Sequence, residues 1–255
     1  HLLDVYVEVN RLFAFEEKAR EAAKKNKQDT ADLESQGLFA ERNAFFKAME
    51  EREPAAIALW KRFRDVSIIR YIETYARLNI HFDEYSGESQ IDQKSIKRVE
   101  KLLAERGISE EDNGSTILNF KKHGAPKLDV AILRNRTGTS TYILRDLAAV
   151  LERSEKFNFD KMIYVVSTEQ DAYLRQVFKA VELMGDQDLA KKLQHVSFGR
   201  VEGMSTRLGN VRLLSDILDE CGRSMHDVMR ANEDKYAQVE NPEAIADTLR
   251  ISAVM

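Results

Sequence analysis

The chain has 255 residues, 43% hydrophobic and 32% charged, so it is long enough to bury one large core or two smaller ones. Lys and Arg number 39 against 43 Asp and Glu, a formal net charge of −4, which argues against a dedicated electrostatic nucleic-acid binder but not against a local basic patch. The single cysteine, Cys221, excludes a disulfide framework and a cysteine-cluster zinc site. We find no membrane-length apolar run and no signal peptide, so we expect a soluble protein of a reducing compartment.

The first 79 residues predict helices. Strong helix formers fill positions 15–26, and past Pro54 apolar residues recur at three- and four-residue steps between Leu59 and Ala76, a stripe that favours core packing. We expect residues 1–58 to form a mostly helical insertion. The chain begins inside an apolar run and ends soon after the helix-start signal at 241–243, so we expect it to be part of a longer protein.

Between positions 80 and 120 the pattern predicts short elements. Ile80–Asp83 is expected to be a strand, and a helix from about 91 to 106 is expected to end at Gly107. The sequence Asp112-Asn113-Gly114 is typical of a hairpin turn between two strands.

The second half alternates strands with helices. The apolar runs at 130–133 and 162–166 predict strands buried on two faces. The run at 194–201 predicts a third strand. The helices between them carry apolar residues on one face, namely Ile143, Leu147, Val150 and Leu151 in the first and Tyr173, Val177, Val181 and Met184 in the second. This order predicts an α/β fold with a doubly wound (Rossmann-like) parallel sheet. Because such sheets bind ligands beyond the carboxyl ends of their strands, the residues directly after each strand are the candidates for a site.

Polar side chains follow the first two strands. Tyr142 and Asp146 are four residues apart and share a helix face with Ala149. A phenol, a carboxylate and a small residue could hold a cation, with Asp146 as a charge-assisted acceptor; the alternative is that Asp146 pairs with a surface Lys or Arg. After the second strand, Glu169 and Gln170 begin a helix, where polar side chains usually serve as caps.

A glycine-bounded loop follows the third strand. Gly199, Gly203 and Gly209 fall within eleven residues, and Ser205, Thr206 and Arg207 stand between the last two. Hydroxyls and an Arg in a mobile loop suit an anion such as phosphate; the alternative is an ordinary polar connection. His195 has no metal-ligand spacing with another histidine, so we expect a strand residue near the site and predict no metal ligands or catalytic triad.

Together these segments resemble the arginyl-tRNA synthetases, a class I family. The matching stretches are TGTSTYILRD, FDKMIYVVSTEQD, QHVSFGRVEGMST and NEDKYAQ…ISAVM, with HLLDVYVEVN and NIHFDEYSGES upstream. They span essentially the whole chain, and the pattern is most similar to fungal or mitochondrial-type members. The resemblance implies that 59–205 form the second part of a class I nucleotide-binding catalytic domain. Residues 206–255 would then form the exit from its signature loop and helices leading to an anticodon-binding domain.

The resemblance also implies roles for single residues. Tyr142, Asp146 and Gln170 would bind arginine, since a carboxylate matches the planar guanidinium and neutral oxygens satisfy its other donors. The segment His195–Phe198 would lie on the adenine side of an ATP site, which Gly203 and Met204 would adjoin. The loop 204–208 occupies the place of the KMSKS signature, so Ser205, Thr206 and Arg207 would act on the triphosphate, with Mg²⁺ accompanying the ATP.

Two departures from the family pattern stand beside these expectations. The HIGH signature is absent, and Leu208 replaces the usual Lys of the loop, which leaves Arg207 as its only cation. The reaction implied is ATP-dependent attachment of arginine to its tRNA through arginyl-adenylate, by a cytoplasmic or mitochondrial monomer that contacts tRNA mainly through regions outside this chain. We expect these 255 residues to be inactive alone.

Two other functions remain open. Another class I synthetase with a non-cationic substrate would have no use for Asp146. A non-catalytic synthetase-like binding protein would suit both Leu208 and the missing HIGH signature.

Overall fold

The computed structural model describes residues 2–199, 201–204 and 209–255. The chain forms two compact units, one from segments 1–38, 57–85 and 203–255 and the other from segments 39–56 and 86–202. The domain boundaries predicted after residues 58 and 205 remain predictions. Within the described residues, no helix combines the length and the apolar character needed to cross a bilayer.

The helical character predicted for the first 79 residues is confirmed. The helices are α1 (Leu2–Lys25), α2 (Ala31–Glu34), α3 (Gly37–Glu50) and α4 (Pro54–Ala76). Basic residues in the last turn of α1 complement the helix dipole, and the Glu16 carboxylate of α1 accepts a hydrogen bond from the Leu38 N–H at 2.9 Å. Pro54 begins α4 at a position where a missing N–H costs nothing.

The core packing predicted for the apolar stripe of α4 is wrong for most of its members. Apolar side chains surround most of the circumference of α4. Because packing covers only one side of the helix, the apolar side chains on its other sides stay in solvent. Five members of the stripe are between 42% and 56% exposed, namely Leu59, Phe63, Val66, Ile69 and Ile72.

The strand predicted at Ile80–Asp83 is also wrong, because the structure has irregular chain there. Aromatic contacts hold this segment instead of strand pairing. The Phe82 ring packs edge-on against Tyr75, with ring centroids 5.0 Å apart, and against Tyr85 at 5.8 Å.

A helix and a hairpin open the main part of the second unit, as predicted. In α5 (Gln93–Glu105), the Asp92 side chain caps the start by accepting from the Lys94 N–H, and Gly107 follows the end with φ +65°. Strands β1 (Ser109–Asp112) and β2 (Ser115–Leu118) pair antiparallel. Asn113 and Gly114 both have positive φ, as a two-residue turn of this kind requires.

The first of the three predicted parallel strands pairs differently. It is β3 (Ala131–Arg134), which lies antiparallel beside β2. Ala131 and Leu133 are buried, but Ile132 between them is 49% exposed. The alternation shows a strand covered on one face, so both the parallel pairing and the two-sided burial predicted for it are wrong.

The incomplete parallel sheet is confirmed in the elements that follow. They are α6 (Tyr142–Phe157), β4 (Met162–Ser167), α7 (Asp171–Leu183), α8 (Gln187–Lys192) and β5 (Leu193–Phe198). Strands β4 and β5 pair in parallel, connected through α7 and α8. The third predicted strand therefore ends at Phe198 and not at Val201. Met162 and Tyr164 pack against the core, whereas Ile163 and Val165 on the opposite face are 51% and 64% exposed. The two-sided burial predicted for this strand is therefore wrong as well.

Helix α6 forms the centre of this unit's core. Its Leu144, Leu147 and Val150 are fully buried, as are Val99 of α5 and Val177 of α7. Complete burial of such a side chain contributes about 2 kcal/mol, so packing on this side fixes α6. Tyr142 and Asp146 are less buried, so the helix can present them to a ligand.

Three helices close the chain. They are α9 (Leu214–Arg230), α10 (Glu233–Tyr236) and α11 (Pro242–Val254). The helix start predicted at 241–243 is confirmed, because the Asn241 side chain accepts from the Ala244 N–H at 3.1 Å and Pro242 follows at the first position. Leu218 of α9 and Ala246 of α11 are buried.

Candidate active site

A polar turn connects β3 to α6 and places the first site residue. The Asn135 Oδ1 accepts hydrogen bonds from the N–H groups of Thr137 and Thr139, each at 3.1 Å. Gly138 takes a left-handed conformation with φ +81°, which only glycine adopts without strain. The Thr141 hydroxyl donates to the Leu133 carbonyl at 3.1 Å. These contacts start α6 at Tyr142.

Tyr142 and Asp146 differ in exposure on the same helix. The Tyr142 ring is 66% exposed, whereas Asp146, one turn later, is partly buried. The Asp146 Oδ2 accepts a hydrogen bond from the Tyr173 hydroxyl of α7. Among the described residues Asp146 forms this bond and no ion pair, so the surface pairing considered as its alternative role is not observed.

Arg145 stands between Tyr142 and Asp146 in the sequence, and its side chain is buried, with 5% of its surface exposed. Its guanidinium forms an ion pair with Glu88 and donates to the Ser140 carbonyl at 2.6 Å and the Ser140 hydroxyl at 2.8 Å. It also lies over the rings of Phe46, at 4.7 Å, and Tyr142, at 5.1 Å. Arg145 thus ties the first turn of α6 to the preceding loop and supports the Tyr142 ring.

Helix α3 reaches the same loop through Glu50. Its carboxylate accepts from the Ser140 N–H at 3.3 Å and from the Ser140 hydroxyl. Ser140 is itself only 4% exposed. Because every polar group of Ser140 named here has a partner, these contacts restrain the loop at Ser140.

Two partly buried tyrosines of this unit have pKa values that respond to the charge of Asp146. Burial raises the pKa of Tyr164 to about 12, partly opposed by Arg153 and increased by Asp146. Burial, followed by the hydrogen bond to Asp146, also raises the pKa of Tyr173. Both phenols are therefore neutral at physiological pH, and Tyr173 is a permanent hydrogen-bond donor.

Gln170 lies at the carboxyl end of β4. It ends the 3-10 turn Thr168–Gln170 and directly precedes α7. Its side chain is exposed and makes no capping hydrogen bond, so the capping role considered for it is not observed. It stands three residues before Tyr173, a spacing that places the two side chains near each other on a helical turn.

His195 and Phe198 lie on β5, at its middle and its end. The His195 Nε2 is 3.1 Å from the Val166 carbonyl, and its Nδ1 is 3.3 Å from the Asp171 carboxylate. Both ring nitrogens therefore contact neighbouring elements of the chain, and the strand position predicted for His195 is confirmed. The Phe198 ring is 54% exposed, and its carbonyl accepts from the Thr168 hydroxyl at 3.1 Å.

The remaining predicted residues follow β5. Gly203 has φ +75°, and its carbonyl accepts from the Asn210 side chain. Gly203 and Met204 belong to the first compact unit, whereas Tyr142, Asp146, Gln170, His195 and Phe198 belong to the second. Ser205, Thr206, Arg207 and Leu208 lie outside the described residues.

Sequence reasoning missed two residues of this site. The sequence predicts Tyr173 on the apolar face of its helix because it is four residues before Val177, and that spacing gives no indication of a partner for its hydroxyl. Arg145 gave a clearer signal, since a charged residue amid the apolar positions 143–150 must find partners if it is buried.

Comparison with known proteins identifies the family. A profile described as the catalytic domain of class I tRNA synthetases (R) matches residues 1–255. The cytoplasmic arginine–tRNA ligase of Saccharomyces cerevisiae is 45% identical over 255 residues, and the mitochondrial one is 38% identical. The matches cover the whole of this chain but only 40% and 38% of those relatives. Relatives thus include both cytoplasmic and mitochondrial proteins.

Solved structures show the same fold. The arginyl-tRNA synthetase of Plasmodium falciparum superposes with a TM-score of 0.66 at 22% identity, covering 91% of this chain and 39% of that one. The Thermus thermophilus arginyl-tRNA synthetase gives a TM-score of 0.57 at 19% identity, with 91% and 47% covered. The mixed α/β architecture with its small parallel sheet is therefore shared with the matching part of these enzymes, and the chain belongs to the class I arginyl-tRNA synthetase family.

Proposed function

We propose that the whole protein attaches arginine to its tRNA at the expense of ATP. The arginine carboxylate attacks the α-phosphorus of ATP, a new O–P bond forms, and pyrophosphate leaves with the electrons of the broken bond. The 3′-terminal ribose hydroxyl of tRNA then attacks the carbonyl carbon of arginyl-adenylate and loses its proton, an ester bond forms, and AMP leaves with the electrons of the broken C–O bond. Such chemistry needs positioning and charge stabilisation more than covalent help from side chains.

The observation that carries this proposal is the carboxylate of Asp146. It is partly buried, has no cationic partner among the described residues and lies one helical turn from the exposed Tyr142 ring. A guanidinium could donate to this carboxylate and lie against the aromatic face, two contacts that arginine makes well. Gln170 would add a neutral amide oxygen. A ligand without positive charge would leave the negative charge of Asp146 without a counter-charge.

We assign the remaining partners from the family resemblance. His195–Phe198 with Gly203 and Met204 would adjoin ATP, which would bring Mg²⁺, and Ser205, Thr206 and Arg207 would act on the triphosphate. The segments 59–205 and 206–255 would be the second part of the catalytic domain and the link to an anticodon-binding domain. We further propose a monomer of the cytoplasm or mitochondrion.

The test is arginine-dependent charging of tRNA by the whole protein, comparing wild type with Asp146→Asn. This substitution keeps the shape of the side chain and removes its charge. Losing one member of a desolvated charge pair costs about 3 kcal/mol, so we expect kcat/KM for arginine to fall roughly 100-fold. The KM for ATP should stay within about twofold, because Asp146 is assigned to the amino acid alone.

Asp188→Asn is the matched control. Asp188 also carries a carboxylate, but its side chain is 90% exposed and paired with Lys191 at 3.1 Å, so its loss should leave charging unchanged. Absence of charging by the wild-type protein would contradict the proposed function and favour a non-catalytic binding protein. Charging of a different amino acid would favour another class I synthetase.

A further inference from the structure

The hydrogen bond between Tyr173 and Asp146 carries an inference about substrate selection. It joins α7 to α6 at the residue assigned to arginine recognition. Tyr173 is partly buried and packs against the core of its unit, so its ring has little freedom to move. A fixed donor on Oδ2 limits rotation of the carboxylate and leaves Oδ1 to accept from a ligand.

The chemical nature of the donor matters as much as its position. A Lys or Arg in place of Tyr173 would hold the carboxylate equally well, but its positive charge would compete with a cationic ligand. A phenol donates a hydrogen bond without charge. Because burial and the bond to Asp146 raise the pKa of Tyr173, the phenol keeps its hydrogen at physiological pH. Asp146 thus stays oriented while its negative charge remains available.

We propose that Tyr173 is a positioning residue that orients the Asp146 carboxylate toward the substrate guanidinium and thereby sets the preference for arginine over uncharged analogues. The inference rests on the proposed function, since it presupposes that Asp146 binds arginine. Tyr173 acts through Asp146 and is not assigned a contact with the substrate.

The chain offers a matched control in Tyr164. This tyrosine is also partly buried near Asp146, which contributes to its raised pKa. Its ring packs against Phe178 with centroids 5.6 Å apart, and its hydroxyl is hydrogen-bonded to Arg153, whereas the Asp146 carboxylate acts on it only through its charge. Tyr164→Phe therefore removes a comparable hydroxyl from the same region and leaves the orientation of Asp146 intact.

The experiment measures kcat and KM in tRNA charging by the whole protein for wild type, Tyr173→Phe and Tyr164→Phe. Because hydrogen bonds to charged groups are among the stronger ones, we expect Tyr173→Phe to raise the KM for arginine about tenfold. The KM for ATP and the kcat should stay within about twofold. Inhibition by citrulline, whose neutral urea replaces the guanidinium, should not weaken. Tyr164→Phe should leave all these values near wild type, and thermal unfolding of each variant checks its folding.

A double-mutant cycle separates positioning from a general structural role. In the Asp146→Asn background, Tyr173→Phe should raise the KM for arginine no further, because the two residues act through one interaction. Equal effects of the two tyrosine variants, a parallel rise in the KM for ATP, or full additivity with Asp146→Asn would each overturn the inference. Charging by the wild type with an unchanged KM in Tyr173→Phe would overturn this inference alone. A wild type that does not charge tRNA with arginine would overturn the proposed function and this inference together.

Discussion

Replacing Arg145 with Met tests whether buried polar contacts hold the first turn of α6. Methionine keeps much of the stem's volume but removes the guanidinium, which pairs with Glu88 and makes two hydrogen bonds to Ser140. Each lost hydrogen bond costs about 1 kcal/mol. Glu88 is 37% exposed, so water can solvate its carboxylate once Arg145 is gone. Loss of the ion pair therefore adds only about 1 kcal/mol to the cost of the lost hydrogen bonds, well below the cost of breaking a fully buried ion pair. The total is about 3 kcal/mol.

Amide hydrogen exchange of the whole protein measures this cost locally. A destabilisation of about 3 kcal/mol should speed exchange through helix opening at 143–150 roughly 100-fold. Arg98→Met is the control. Arg98 of α5 also pairs with a glutamate on α6, Glu155, but both side chains are more than half exposed. Such exposed pairs contribute less than about 1 kcal/mol. Equal acceleration in the two variants, or less than about threefold in Arg145→Met, would refute the reasoning.

Two further predictions concern pH and helix capping. The pKa of Tyr164 is raised to about 12, above the value of about 10 in an unfolded chain. The unfolded chain therefore loses this proton first, and stability that is full below about pH 10 falls as the pH rises toward 12, with a slope of about 1.4 kcal/mol per pH unit. Alkaline unfolding followed by phenolate absorbance should be shallower in Tyr164→Phe, and an unchanged slope would contradict this. Asp92 caps α5 by accepting from the Lys94 N–H at 2.9 Å, so Asp92→Ala should destabilise the first turn by about 1 kcal/mol, seen as faster amide exchange. Asp92→Asn should leave the stability of the first turn unchanged, because the asparagine oxygen can accept the same hydrogen bond. Equal destabilisation by both substitutions would argue against a capping role.

The sequence predicted local structure well where short-range rules decide it. Asn113-Gly114 can adopt the positive φ values of its turn whatever surrounds it, and Gly107 ends α5 for the same reason. The start of α11 at Pro242 likewise follows from the capping Asn before it. These features depend on residues within a few positions of each other, so no knowledge of tertiary structure was needed.

Pairing and burial were less predictable because they depend on distant residues. The apolar run at 130–133 has the composition of a central parallel strand, but its neighbour β2 is provided by the hairpin and pairs antiparallel. The apolar residues of α4 have helical spacing, but no described element of the chain covers them along the full length of the helix, so most of them stay exposed. In the site, Tyr142, Asp146 and Gln170 were selected from their places after predicted strands, whereas their arginine-binding roles came from the resemblance and stay predictions. The Tyr173 bond joins residues 27 positions apart, which no periodicity reveals.

Helix α6 combines buried core residues with the residues proposed to bind the substrate. Its buried Leu144, Leu147 and Val150 face the core, while Tyr142 and Asp146 are assigned to the ligand. A growth-based screen of random variants would therefore score most α6 substitutions as inactive for two unrelated reasons, depleted protein and impaired substrate binding. Measuring abundance beside activity would separate them: variants at 144, 147 and 150 should lose protein, whereas variants at 142 and 146 should accumulate normally and fail only in growth.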